Sequence, residues 1–299
     1  MNKKDTLSRK IFYICNVILL LMVVMVTLFP YLHILAKAFN NGKDTAMGGI
    51  IIWPRVFTLE NFKTVMEDSN FFRSFLLSVA RVILSTILNL AVQFMAAYVL
   101  LNKTFYGHKF FVYMFMIPMY FGGGIIPQYI LYANTGLLNN FLVYILPTCF
   151  SMYNTIIIRS YLESIPASLA ESARVDGAND IRIAYQILFP LAKPVIATVG
   201  LWTMVGAWND WTTSLYFVTK KELFTLQYVL MRVLKENQAI QSMLQEAAMR
   251  GEALNMEMSV TSEAVRSAQL IITTVPIVLT YPFLQKYFIQ GMTLGAVKD

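Results

Sequence analysis

Residues 110–158 read FFVYMFMIPMYFGGGIIPQYILYANTGLLNNFLVYILPTCFSMYNTIII, 49 positions without a single Asp, Glu, Lys or Arg. A bilayer-spanning helix needs about 20 mainly apolar residues, so this run has room for two. Pro118, Gly122-Gly123-Gly124, Pro127, Gly136 and Pro147 interrupt it. In hydrocarbon every backbone N–H and C=O needs a partner, so irregular backbone at membrane depth belongs against protein or a water-filled cavity. Two readings stand for this region: a broken helix that lines a path, or an ordinary kink with an interfacial turn.

Working outward, Ile11 to Ala36, Val82 to Leu101 and Ser267 to Gln285 are also free of charge, and Ile183 to Asn209 carries only Lys193 near its start, where a long side chain reaches the interface. Six spans are expected, at about 11–36, 74–101, 110–132, 140–158, 183–208 and 267–288, which makes the chain an all-α membrane protein. Composition agrees: 57% of the 299 residues are apolar and 14% charged, against roughly 25% charged in soluble domains. The net charge of +7 is spread between spans and not massed on one polar face, which argues against nucleic acid as a partner.

The opening MNKKDTLSRK and the apolar run after it imitate a secretory signal, with Ala36-Lys37-Ala38 imitating a cleavage site. The run is longer than the 7–15 residues of a signal core, so it is read as an uncleaved first helix. Cys15 and Cys149 fall inside expected spans, and neither count nor spacing points to a metal site or a disulfide framework.

Lys3, Lys4, Arg9 and Lys10 precede the first span, which places residues 1–10, and after six crossings the C-terminus, in the cytoplasm. Lys103 and Lys109, then Arg159, Arg174 and Arg182, fall inside. The first outer loop dissents, with Lys37, Lys43, Arg55 and Lys63. The last outer segment, 209–266, is the longest polar stretch. Within it Leu223 to Gly251 has helix formers, no proline and a final glycine suited to a helix end, so one extracellular helix is expected there.

Between the fourth and fifth spans lies RSYLESIPASLAESARVDGANDI, residues 159–181. A helix can start near Pro166, favoured in a first turn, and stop at Asp176-Gly177, with a second start at Asn179 or Asp180. Ala170, Ala173 and Gly177 recur at i, i+3 and i+7, a stripe of small side chains that lets another surface approach. From composition alone this is a solvated loop helix.

Spacing adds something. Glu171-Ser172-Ala173, three residues, Gly177, nine residues, then Ile187-Leu188-Phe189-Pro190 resembles the "EAA" signature of binding-protein-dependent ABC importer permeases, with Ser172 and Phe189 as mild departures. Gly123 to Pro127, Gly136 to Asn140, Gly206 to Trp211, and Tyr281 to Phe288 with Gly291 and Gly295 are similar to the carbohydrate branch of that family, the maltose and lipo-oligosaccharide type. The resemblance is weakest over Leu234 to Glu263.

What the resemblance implies is a type I ABC importer permease fold, in a multi-pass protein of the bacterial cytoplasmic membrane. Residues 166–177 would form a coupling helix that docks on a separate ATPase subunit. Ala170, Glu171, Ser172, Ala173, Asp176 and Gly177 would supply the docking element, and Pro190 would mark where the fifth span begins. The implied partners are a second homologous permease, an ATPase pair, an extracellular or periplasmic sugar-binding protein, the sugar itself and membrane lipid. ATP and Mg would bind the partner ATPase, since this chain has no GxxxxGK[ST] loop. No catalytic residues and no metal ligands are expected in it. His33 and His108 stand far apart on opposite expected faces.

Trp202, Trp208, Trp211, Tyr216 and Phe217 cluster with Asn209 and Asp210 at the outer end of the fifth span. Flat rings beside amide and carboxylate groups suit a sugar, but Trp and Tyr also favour membrane interfaces. Polar residues inside spans, among them Arg81, Asn89, Gln93, Tyr120, Gln128, Asn134 and Asn154, either mark a substrate path or bond helix to helix. The substrate-path or binding-protein candidates are therefore Tyr120, Gln128, Asn154, Trp208, Asn209, Asp210 and Trp211. Two alternatives remain at this stage: the same machine importing a non-sugar solute, or an ion-coupled secondary transporter. The second would show paired repeats and intramembrane carboxylates, and the spans contain no carboxylate.

Overall fold

The structure, a computed structural model, describes residues 7–249 and 262–296, and its described elements are helices and turns with one isolated bridge between Asn40 and Phe57. The chain divides into two compact units, Met1–Ser69 with Arg232–Thr274, and Asn70–Met231 with Val275–Asp299.

In the first unit, α1 (Leu7–Ala38) is exposed on every side from Leu7 to Tyr31. A helix that is apolar all round needs lipid or another subunit as its solvent. Its end is tied to an ordered loop. Buried Asn40 donates to Asp44 and Thr45 and accepts from the Val56 N–H, and Asn61 donates to the carbonyls of Ala38 and Asn40. Two short helices, α2 (Gly42–Ala46) and α3 (Glu60–Glu67), complete this loop.

Three of the four cations that break the charge rule here are paired: Lys37 to Glu263 at 2.6 Å, Arg55 to Asp44 at 3.1 Å and Lys63 to Glu67 at 3.8 Å.

The second unit is built on α4 (Ser69–Leu101), 33 residues and so about 50 Å long. Ser74, Ser78, Arg81, Ser85, Asn89 and Gln93 are all buried and recur every three or four residues, so they share one face. Asn89 donates to the Ser85 carbonyl and Gln93 donates to Asn89, both at 2.8 Å. The polar ladder thus satisfies much of itself along its own helix.

Three expected spans are not continuous helices. α5 (His108–Tyr120) and α6 (Ile125–Asn134) meet at 119° across Gly122-Gly123-Gly124, where Gly124 takes φ +82°. Two 3₁₀ turns, Phe141–Tyr144 and Leu146–Thr148, precede α7 (Met152–Leu162) at 47°. The expected fifth span, 183–208, is cut in two. After α8 (Ser168–Val175), α9 (Asp180–Leu191) lies at 82° to α10 (Lys193–Asn209), because Pro190 and Pro194 remove two backbone donors within five residues. A wide π turn runs over Ile183–Leu188 just before the first of these prolines.

Beyond α10 come α11 (Thr212–Phe217), a 3₁₀ turn at Lys221–Leu223 and α12 (Leu226–Met249), which occupies most of the stretch read as an extracellular helix. Gly251, its expected terminator, lies outside the described residues. The last helix, α13 (Ser262–Ala296), starts five residues before the expected sixth span.

Candidate functional site

The segment after α7 is organised by turn chemistry. α8 ends at Asp176, Gly177 takes φ +83°, and the Asn179 side chain accepts from the Arg182 N–H at 2.9 Å to start α9. A Cβ on Gly177 would meet nothing within 4 Å, so glycine is required there by the left-handed backbone and not by close contact.

Which face of α8 looks inward is decided by the core beneath it. Ala170 and Ala173 are half-buried against a cluster of Phe94, Ala97, Ile158, Leu162, Ile183, Ala184, Leu188 and their neighbours. Of the small stripe, Ala170 and Ala173 thus pack partly on the chain's own core, while Gly177 is exposed. The bare face is another one: Leu169 is 44% and Val175 88% exposed, and Glu171, Ser172 and Asp176 are exposed with them. Pro190 is exposed too, and the turn into the fifth crossing falls two residues later, at Ala192.

A cleft of about 800 Å³ runs beside α8, lined by the end of α4, Asn102 to Phe105, α8 and α9. Across it Tyr98 OH donates to Asp180 at 2.9 Å and Arg174 donates to the same oxygen at 3.2 Å. These two bonds hold the Asp180 carboxyl below the usual aspartate range. Glu163 accepts from Arg159 and lies 3.4 Å from Lys103; burial pushes its carboxyl up, but the two cations outweigh it and hold it low. Tyr98 thus ties α4 to the start of α9, and Lys103 ties the segment after α4 to the end of α7.

A second constellation stands where α10 ends. Arg81, 2% exposed, donates to both the carboxylate and the main-chain carbonyl of Asp210, the latter at 3.0 Å. Its guanidinium lies 4.6 Å from the Tyr144 ring centroid. Tyr144 OH bonds Ser214 at 2.8 Å and donates to the Leu223 carbonyl at 2.7 Å, and Ser214 bonds Thr225. Asp210 also receives Thr212 and Thr213. One buried cation therefore joins α4, the Phe141–Tyr144 turn and the segment around α11.

The substrate-path candidates do not converge among the described residues. Trp208 is buried against Phe75, with ring centroids 6.1 Å apart, and Asp210 is committed to Arg81. Asn209 is exposed and donates to the Val205 carbonyl, Trp211 is half-buried, and Tyr120 is exposed. Gln128 bonds Tyr132 at 2.6 Å, while Asn154 lies in the capped first turn of α7. Sequence reasoning passed over Tyr144 and named no partner for Arg81. The available signal was that a cation inside a span needs a partner, and Asp210 is the first carboxylate after the fifth span.

Long apolar helices, three bent helix pairs and one short charged helix packed against the core define a multi-pass membrane protein. The family model described as binding-protein-dependent transport system inner membrane component matches residues 105–294, and the chain belongs to that family. It is 35% identical to Protein LplC of Bacillus subtilis (strain 168), over 98% of this chain and 97% of that one. It is 28% identical to the polygalacturonan/rhamnogalacturonan transport system permease protein YtcP of the same organism, over 93% and 95%. Among solved structures it is similar to a chain of a bacterial ABC transporter involved in the import of the acidic polysaccharide alginate, with a TM-score of 0.85 and 26% identity over 96% of this chain and all of that one. The fold is that of a type I ABC importer permease.

Proposed function

We propose that this chain is the membrane-spanning permease subunit of an ATP-driven, binding-protein-dependent carbohydrate importer, in which it forms half of the translocation path. Relatives named as polygalacturonan/rhamnogalacturonan and maltodextrin transport system permeases, and a structural neighbour involved in the import of alginate, support a carbohydrate chain as the substrate class. A second neighbour, 14% identical with a TM-score of 0.58, is an alginate transporter in complex with a pentasaccharide-bound periplasmic protein; it supports the fold, and by analogy a binding-protein partner.

The observation that carries the coupling role is the bare outer face of α8. Leu169 and Val175 are apolar and exposed on a short charged helix whose opposite face is seated on the core. A separate ATPase subunit, which holds ATP and Mg, docks there, and both termini lie on that cytoplasmic side. A second permease completes the path. The chain itself performs no covalent chemistry.

The test is copurification with the products of neighbouring genes. Val175→Asp and Glu171→Lys are expected to lower sugar import or release the ATPase subunit, while capture of the loaded binding protein survives. Normal import by both variants rejects the docking assignment.

A further inference from the structure

We propose that the loop after α1 is an interfacial membrane anchor, with Ile51, Ile52 and Trp53 inserted into the leaflet opposite the N-terminus. Three observations meet here. Ile51 and Ile52 are 60% and 50% exposed, Trp53 and Met47 both 82%. Large apolar side chains left this bare next to each other mark a contact surface. The tip from Thr45 to Pro54 carries no charge, so its occupant is not selected by ion pairing.

The second observation fixes its depth. His33 Nδ1 donates to the Ile51 carbonyl at 2.8 Å, so the tip folds back along α1 instead of standing away from it. His33 lies five residues before the helix end at Ala38, about 7 Å down the axis. The uncharged run Ile11–Ala36 is about 39 Å long as helix against about 30 Å of hydrocarbon, so His33 falls at the edge of the acyl region. There a tryptophan is at home, its ring in the headgroup layer.

The third is the scaffold. Gly48 and Gly49 take φ +76° and +79°, which turns the chain back. Arg55 bonds Asp44, the Asp44 carbonyl and the Gly48 carbonyl, which closes the base of the tip. Ile50, next to the exposed residues, is 5% exposed and roots it. A braced loop of this kind presents its apolar residues at one level instead of letting them collapse.

The test uses the assembled transporter in vesicles of phosphatidylethanolamine and phosphatidylglycerol, comparing emission of the wild type with that of Trp53→Phe. Trp53 packs on little, so the substitution leaves folding intact; Trp53→Tyr serves as a second subtraction. The difference spectrum is expected to be blue-shifted, to lose most of its intensity with acyl-brominated phospholipid, and to resist iodide in the water. Quenching by iodide places Trp53 in water and overturns the proposal. Resistance to both quenchers means another subunit covers the tip, which overturns it equally.

Discussion

Arg81 and Asp210, 129 residues apart in sequence, form an ion pair with its cation buried and its carboxylate partly so, which fastens α4 to the segment leaving α10. The guanidinium has the Tyr144 ring on one side and the Asp210 main-chain carbonyl as a further acceptor. Tyr144 then passes the connection to Ser214 and Leu223. A cation so placed cannot lose its carboxylate without stranding a charge in a dry site.

Removing one partner is therefore more damaging than removing both. Asp210→Leu alone is expected to destabilise the protein by about 3–5 kcal/mol, because it leaves Arg81 uncompensated. Arg81→Met with Asp210→Leu should recover much of that loss. Thermal unfolding of the purified subunit in detergent measures both, and equal losses in the single and double variants reject the pairing as the cause.

The same pair has a pH dependence of known sign. Burial pushes the Asp210 carboxyl up, but the Arg81 charge and the Thr213 and Thr212 hydroxyls outweigh it and hold it below the ordinary value. A carboxyl lowered on folding contributes stability that is fully present above the unfolded pKa of about 3.9 and is lost as pH falls below it. Melting temperature should thus be insensitive to this pair between pH 5 and 7 and drop below about pH 4. Asp210→Asn should flatten the acid limb, and an unchanged limb in that variant counts against the argument.

Gly177 tests backbone against contact. With φ +83° and no atom within 4 Å of a Cβ, Gly177→Ala should cost about 1–2 kcal/mol through the left-handed conformation alone. Gly177→Asn should cost less, since asparagine visits that region more readily. Equal melting temperatures for the two variants would show that something other than φ is at work.

Gly200 tests the opposite case. A Cβ there would meet Leu90 Cδ1 at 3.2 Å, so α10 and α4 approach closely at this point. Gly200→Val should destabilise by about 1–3 kcal/mol through overpacking. Leu90→Ala in the same molecule should relieve part of it, as read by a thermal scan of the single and double variants.

Much of the architecture was legible because hydrophobicity and turn preference are local properties. Uncharged runs of 20 residues and more declared the bilayer, and Asp176-Gly177 followed by Asn179 declared a helix stop and restart. The span limits were less legible. Proline and triple glycine announced breaks in residues 110–158, but not the 119° and 47° bends, which depend on what each half packs against.

The site divides along the same line. Sequence by itself determined that this chain lives in a membrane, that it carries a short charged helix between two apolar crossings, and that it belongs with importer permeases, because composition and spacing survive without any fold. Only the tertiary structure decided that Ala170 and Ala173 face inward while Leu169 and Val175 are left bare, and that Arg81 meets Asp210 and Tyr144. Those outcomes rest on which elements the chain brings side by side, and a pairing across 129 residues has no local cause to read.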